Sequence, residues 1–267
     1  WSILGAVPQG TKRLPPMIYA TMPTIRYHPA IVARKAGTMA LRSDGRFRLG
    51  LGDLEQLHEH VVGRGYTPVH IRHQTLAPAV EIIRAMWEGD DVTFHGAHDD
   101  DEGTKLFDRP PNPPRLGIAE SGKHPSGLGG RMVNLVIATE PTPELVRMLN
   151  QAGGTGTPAA DQTLVCWRPD VATRGKRAHE RFVWSLGAWT IPAEPSTSVN
   201  FEAFVKAVTE ELMAQKDPSG RDIAQIIESV KQFVRVGFSE AGPVQSGQNR
   251  PRSATFVPVL GHAPQAP

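Results

Sequence analysis

Cysteine is nearly missing from this 267-residue chain. Cys166 stands alone, which excludes an internal disulfide and fits a reducing compartment. Long apolar runs are missing too, and no signal-peptide pattern is visible, so no membrane partner is expected and the cytoplasm is the expected location. Neither sign of charge dominates. The 29 basic residues stand against 27 acidic ones and leave a net charge of +2, which argues against a dedicated nucleic-acid surface. Aromatic residues make up 6% and lie apart from the basic clusters, so a base-stacking platform is not expected. HExxH and GxSxG are absent, which leaves no zinc-protease helix and no nucleophile elbow to assign. No solenoid-type repeat recurs.

What is present is organised around the stretch RFRLGLGDLEQLHEH, residues 46–60. Phe47, Leu49 and Leu51 alternate as strand residues do when one face is packed. Gly50 and Gly52 permit close backbone approach, or positive φ, where the strand ends. Glu55 follows at the start of a helix. Clefts in α/β proteins open at the carboxyl ends of parallel strands, so Glu55 is a candidate acid/base group. An acidic residue in a first helical turn is equally what the helix dipole favours on a plain surface.

Around this stretch, strands and helices alternate. Residues 1–5 read as the end of a helix, 17–22 as a strand, and 30–42 as a helix entered through Pro29 and closed by Ser43-Asp44-Gly45. A helix is expected over 77–87, a loop over 89–114, strands at 115–119, 132–138 and 163–167, and a helix at 143–149. Residues 169–199 read as an irregular excursion. Asn200 is expected to cap one long helix to Lys216 with Phe201, Phe204, Val205, Val208 and Leu212 on its buried face, and a second helix covers 222–236 until Gly237. Residues 1–245 are expected to form one partial barrel domain and 246–267 a disordered tail.

Residues 117–124, GIAESGKH, nearly match a P-loop, but His124 replaces the hydroxyl that would hold magnesium, so nucleoside triphosphate binding is not expected. Backbone N–H groups at Ser121, Gly122 and Lys123 could hold a phosphate at a strand end, and an ordinary tight turn explains the same residues. His58, His60, His70 and His73 lack ligand spacing, and Asp99–Glu102 lacks that of a calcium loop, so no metal is expected. Cys166, between Val165 and Trp167, reads as core.

Three segments carry more than their physics. They are PTIRYHPA at 23–30, Gly45-Arg46-Phe47 running through Leu49, Gly50, Gly52, Glu55 and Leu57 to Glu59, and AVEIIRAMWEG at 79–89. In this order and spacing, continued by Pro113-Pro114, Ser121-Gly122, Gly130-Arg131 and Thr139, they resemble the luciferase-like TIM-barrel oxidoreductases, in the branch of the coenzyme F420-dependent glucose-6-phosphate dehydrogenases. The resemblance implies a (β/α)8 barrel whose first two strands lie upstream of Trp1 and whose last strand is eroded. It implies a deazaflavin at the carboxyl rim, supported at Ala20 and Thr21 by a bulged strand that often has a non-prolyl cis peptide. Glu55 matches the proton donor or acceptor, His58 a polar contact, and Ser121, Gly122 and Thr139 the positions that bind the cofactor phosphate.

The same comparison places Glu120 and Lys123 in a phosphate turn that is usually small and apolar, and Thr142 about where a sugar-phosphate lysine would stand. Glucose 6-phosphate is therefore not the implied substrate. The expected activity is hydride transfer between coenzyme F420 and an organic substrate, such as a sugar or alcohol, in a homodimer. The alternatives are an FMN-dependent luciferase-like monooxygenase, or a non-catalytic remnant of the fold whose open strand edges favour association.

Overall fold

The computed structural model describes residues 1–52, 55–89, 91–96, 100–120, 132–167, 174–187, 197–216, 219–220, 223–242 and 244–245. Five strands make one parallel sheet: β1 (Met17–Thr21), β2 (Arg48–Leu51), β5 (Arg115–Ala119), β6 (Leu135–Ala138) and β7 (Ala159–Asp161), side by side in that order. The helices α1 (Ser2–Gly10), α2 (Pro29–Arg42), α3 (Gln56–Glu59), α4 (Val69–Glu88) and α5 (Pro143–Leu149) alternate with them. An antiparallel hairpin of β3 (Val92–His95) and β4 (Asp100–Thr104) lies between α4 and β5.

The alternation in β2 sets the layers. Leu49 and Leu51 point to the helices with their register neighbours Leu116 and Ile118, and meet Val32, Ala36, Val80 and Ile83 of α2 and α4 in the main core. The other face carries a smaller cluster of Leu135, Ile137 and Ala160, with Met17 of β1 and Ala119 of β5 packed against it. Leu135 and Ile137 of β6 reach into the space left by glycines on β2 and β5. A Cβ on Gly117 would lie 3.2 Å from Ile137 Cδ1, and one on Gly50 would overlap the Ile18 carbonyl oxygen. Glycine at 50 is therefore a packing requirement.

Local chemistry fixes the ends of the elements. His28 caps α2, its Nδ1 accepting the Ala30 N–H at 3.3 Å, with Pro29 in the first turn. Asp44 and Gly45 then take positive φ, and the Ser43 hydroxyl accepts the Phe47 N–H at 3.0 Å as the chain turns into β2. The strand β1 is irregular. Its register against β2 shifts between Ile18 and Thr21, where the Tyr19–Ala20 peptide bond is cis, at the bulge position the resemblance implies.

Several expectations need correction. The first helix runs on through Pro8 to Gly10. The helix α4 begins at Val69, not Ala77, because the buried Arg72, Thr75 and Leu76 bring the turns before Pro78 into the core. The stretch 89–114 is not all loop but holds the β3–β4 hairpin, in which Asp101 is buried and accepts the Thr104 hydroxyl at 3.0 Å. The strand β7 was not expected at all. β8 (Leu164–Trp167) lies outside the main sheet, between β9 (Ser219–Gly220) and β10 (Val244–Gln245).

The excursion holds a helix, α6 (Arg174–Phe182). The long helix from 200 to 216 is two, α7 (Ser198–Val205) and α8 (Glu210–Lys216), and Thr197 rather than Asn200 supplies the cap. Its expected buried face is open at Phe204 and Leu212. The helix α9 (Ile223–Arg235) and its stop at Gly237, φ 105°, follow the expected pattern. After it, the segment around Glu240 runs parallel beside β7: the Ser239 and Glu240 N–H groups donate to the Ala159 carbonyl at 2.9 and 3.1 Å, and the Asp161 N–H donates to the Glu240 carbonyl at 3.0 Å. The tail 246–267 and the Cys166 side chain lie outside the described residues. Among the described residues, no helix is long and apolar enough to cross a membrane.

Candidate active site

The carboxyl ends of β1, β2 and β5 bring three small residues together. An ideal Cβ on Gly52 would lie 3.6 Å from the Cβ atoms of both Ala20 and Ala119. These positions form a floor without protruding side chains at the rim of the parallel sheet. The Gly52 N–H donates to the Thr21 carbonyl at 3.0 Å, which ties the bulged end of β1 to the chain leaving β2. Thr21 itself is buried.

Glu55 stands three residues past Gly52, in the N-cap position of α3, with extended backbone. Its carbonyl accepts the His58 and Glu59 N–H groups at 3.0 and 3.1 Å, so the turn places one residue after another around the same corner. The Glu55 carboxylate pairs with His58 Nδ1. That hydrogen bond is the main reason the His58 titration is raised; burial opposes it, and the Glu55 charge adds to it. The His58 side chain is 51% exposed and that of Glu55 32%, so the pair is open to a ligand.

Behind this pair lies Glu59, which is 1% exposed. Its Oε2 accepts the Arg26 backbone N–H at 2.6 Å. Burial pushes the Glu59 carboxyl up, and the N–H groups of Arg26 and Ile25 together with the Arg26 charge offset part of that. Gln56 accepts the Thr67 N–H at 3.2 Å and donates to the Gly65 carbonyl at 3.0 Å. The buried Arg72 donates to the Thr67 carbonyl at 2.8 Å, so the chain after α3 is pinned from inside.

Of the residues singled out in the sequence, Ala20 and Thr21 lie at the end of β1 against Gly52, and Glu55 and His58 pair with each other in the turn that follows Gly52. Thr139 follows β6 and is exposed, two strands along the rim from β2. Ser121 and Gly122 lie outside the described residues; Glu120, just before them, is buried and donates its N–H to the Ile137 carbonyl at 2.9 Å. Among the described residues, no three His, Cys, Asp or Glu side chains group as metal ligands.

Sequence reasoning missed two features. Glu59 closes the 45–59 segment with no role that the sequence assigns it, and its partner is 33 residues away. An ionic cluster also crosses the sheet. Arg48 pairs with Glu240, the Gly242 N–H donates to Asp161 Oδ1 at 2.9 Å, and burial pushes up both Asp161 and the Tyr19 phenol. The charges of Asp161 and Glu240 raise Tyr19 further, and Arg48 opposes them.

Comparison with known proteins adds the following. The family described as luciferase-like monooxygenase matches residues 1–151. Over 178 residues, 67% of the chain, the sequence is 33% identical to an F420-dependent hydroxymycolic acid dehydrogenase of Mycobacterium tuberculosis, and the match spans 47% of that protein, about half its length. Over 257 residues it is 27% identical to an F420-dependent glucose-6-phosphate dehydrogenase of Amycolatopsis mediterranei, covering 90% of this chain and 76% of the relative. Among solved structures, an F420-dependent secondary alcohol dehydrogenase in complex with an F420-acetone adduct matches with a TM-score of 0.81 at 20% identity, over 93% of this chain and 79% of that one. A type II Baeyer-Villiger monooxygenase component from Pseudomonas putida in complex with FMN matches at 0.64 and 14% identity, over 96% and 78%. These structural likenesses establish the shared fold.

Proposed function

The chain belongs to the luciferase-like monooxygenase family, and from that membership we propose that it is an oxidoreductase moving a hydride between coenzyme F420 and an organic substrate such as an alcohol or sugar. One observation supports the reading: the floor of Ala20, Gly52 and Ala119 lies at the end of β2, three residues before Glu55, which pairs with His58. A flat tricyclic ring needs a surface from which no side chain projects, and the missing Cβ of Gly52 supplies one. Ala20 and Thr21 would support the ring, His58 would contact it, and Ser121, Gly122 and Thr139 would hold the phosphate. The redox step belongs to the cofactor, which gives or takes the hydride when bound.

The chain's own contribution is position and a proton. Glu55 is the general acid/base, exchanging a proton at a carboxylate oxygen, and its bond to His58 Nδ1 keeps that carboxylate aimed along the rim. The names of the relatives support F420 over FMN, since both sequence relatives described above are F420-dependent. We further propose a cytoplasmic homodimer acting on a small molecule, with residues 1–245 as one unit.

Fluorescence titration with coenzyme F420 and FMN in parallel tests the cofactor, with F420 expected to bind the more tightly. Binding of FMN alone would turn the reading to a monooxygenase, and binding of neither to a non-catalytic chain. Glu55→Gln is expected to slow single-turnover hydride transfer by about 10²–10⁴-fold at unchanged F420 affinity. A full rate in that variant removes Glu55 from the chemistry.

A further inference from the structure

Glu59 is the one carboxylate of α3 that faces inward, and nothing in the proposed chemistry uses it. A carboxylate withdrawn from water is costly unless its oxygens find donors. The Arg26 N–H answers for one oxygen, while Glu59 Oε1, Thr24 Oγ1 and Arg26 Nε are buried without a hydrogen-bond partner among the described residues. The bond to Arg26 joins two segments that meet at the rim. One is the turn leaving the bulged end of β1, which carries Ala20 and Thr21. The other is α3, whose single turn carries Glu55 and His58 on its open side.

We propose that Glu59 is the positioning residue of this site: through the Arg26 N–H its carboxylate sets the floor at Ala20–Thr21 against the Glu55–His58 pair. A four-residue helix has too few internal hydrogen bonds to hold its own orientation, so its side chains stand where tertiary contacts put them. The buried contact to residue 26 fixes the inward side of that turn, and with it the direction of the outward side. This inference rests on the hydride-transfer reading for its consequence in the reaction, but not for its geometry.

The test compares Glu59→Leu with Glu59→Gln, which keeps a carbonyl oxygen to accept the Arg26 N–H. Glu59→Leu is expected to slow single-turnover hydride transfer by about 10- to 100-fold, as misplacement of a reacting group does, with the F420 dissociation constant little changed. Glu59→Gln is expected to recover most of the rate. A cofactor-free readout separates this inference from the reading it rests on. The groups facing His58 are Glu55, Glu59 and Arg26, and both variants remove the same Glu59 charge. In Glu59→Leu the NMR titration of His58 should fall further than in Glu59→Gln, because only there does the turn release its bond to Glu55.

Equal effects of the two variants on rate and His58 titration would make Glu59 a source of charge rather than of position, and overturn the proposal. A wild-type rate in Glu59→Leu would do the same. Should Glu59→Leu fail to fold, amide hydrogen exchange in the wild-type protein decides. The Arg26 N–H should be protected, and exchange at the rate of an open turn overturns the assignment.

Discussion

The chain is built in two ways. Up to β7 one five-stranded parallel sheet, with the β3–β4 hairpin apart from it, is covered by α2 and α4, and Val32, Leu49, Leu51, Leu76, Val80, Ile83 and Ile118 lose all contact with water. Beyond β7, the strands β8, β9 and β10 are four residues long or shorter and form a separate sheet, and Ala178, Phe182 and Met213 make a small cluster of their own. Large apolar side chains stay exposed in both regions, at Ile3, Val61 and Phe107 in the first and at Val199, Phe204, Leu212 and Val234 in the second, so the contrast lies in the buried core and not in the exposed surface. The difference bears on function. Ala20, Thr21, Gly52, Glu55, His58 and Glu59 all come from the first region, where a floor of alternating close contacts can hold strand ends in place. The match to the luciferase-like family stops at residue 151, close to where this construction changes.

The strongest way to break the comparison is to remove part of the first region's core. Leu49→Ala should cost about 2–5 kcal/mol, the range for a fully buried leucine whose site cannot collapse. Denaturant unfolding monitored by tryptophan fluorescence would measure it. A loss below about 1 kcal/mol would mean that the main core is looser than its burial indicates.

The same contrast governs what could be read without coordinates. β1, α2, β2 and β5 were legible because alternation, a proline entry and a glycine exit each point the same way in their segments. β7 was not, since Ala159-Ala160-Asp161 has no β-branched or aromatic residue and is a strand because β6 lies on one side of it and the segment around Glu240 on the other. β4 reads as a solvated acidic run, and becomes a strand through its ladder to β3. The break at 206–209 hid inside a pattern that looked continuous. At the site, Glu55 could be singled out from its place after a glycine-rich strand end. The floor was half legible, since Gly52 was evident but its two alanine neighbours come from other strands. Glu59 was beyond reach, because its meaning depends on a backbone N–H at Arg26 that no local pattern indicates.

A smaller effect sharpens the account of the rim. His58 titrates above the ordinary 6.5 because Glu55 holds its proton. The folded state therefore binds that proton more tightly than the unfolded one. The resulting stability is present in full below about pH 6.5 and is lost as pH rises through the folded-state titration. Glu59 and Asp161, raised by burial, also make stability fall with rising pH, but through their own range starting near the ordinary carboxylate values of 4.5 and 3.8. Above pH 6 the difference between wild type and His58→Asn, which keeps both carboxylates, isolates the histidine. Because the pair is partly exposed it contributes under about 1 kcal/mol, so the wild-type Tm should fall about 1–3 °C further than the variant's across this range. Parallel Tm curves would show that the Glu55–His58 bond is not formed in solution.

The smallest effect is expected in the second region. Phe204 lies on α7 with 60% of its surface exposed, where an amphipathic reading of residues 200–216 would have buried it. Shortening that helix to Ser198–Val205 removes the continuous stripe, and the ring no longer has a groove to enter. Phe204→Ser should therefore change stability by no more than about 0.5 kcal/mol in either direction, as exposed substitutions do. A loss above about 1 kcal/mol that grew with protein concentration would mean that a second copy covers this face in solution, since only association makes stability depend on concentration. The contrast between the two regions would then belong to the isolated chain and not to the assembled protein.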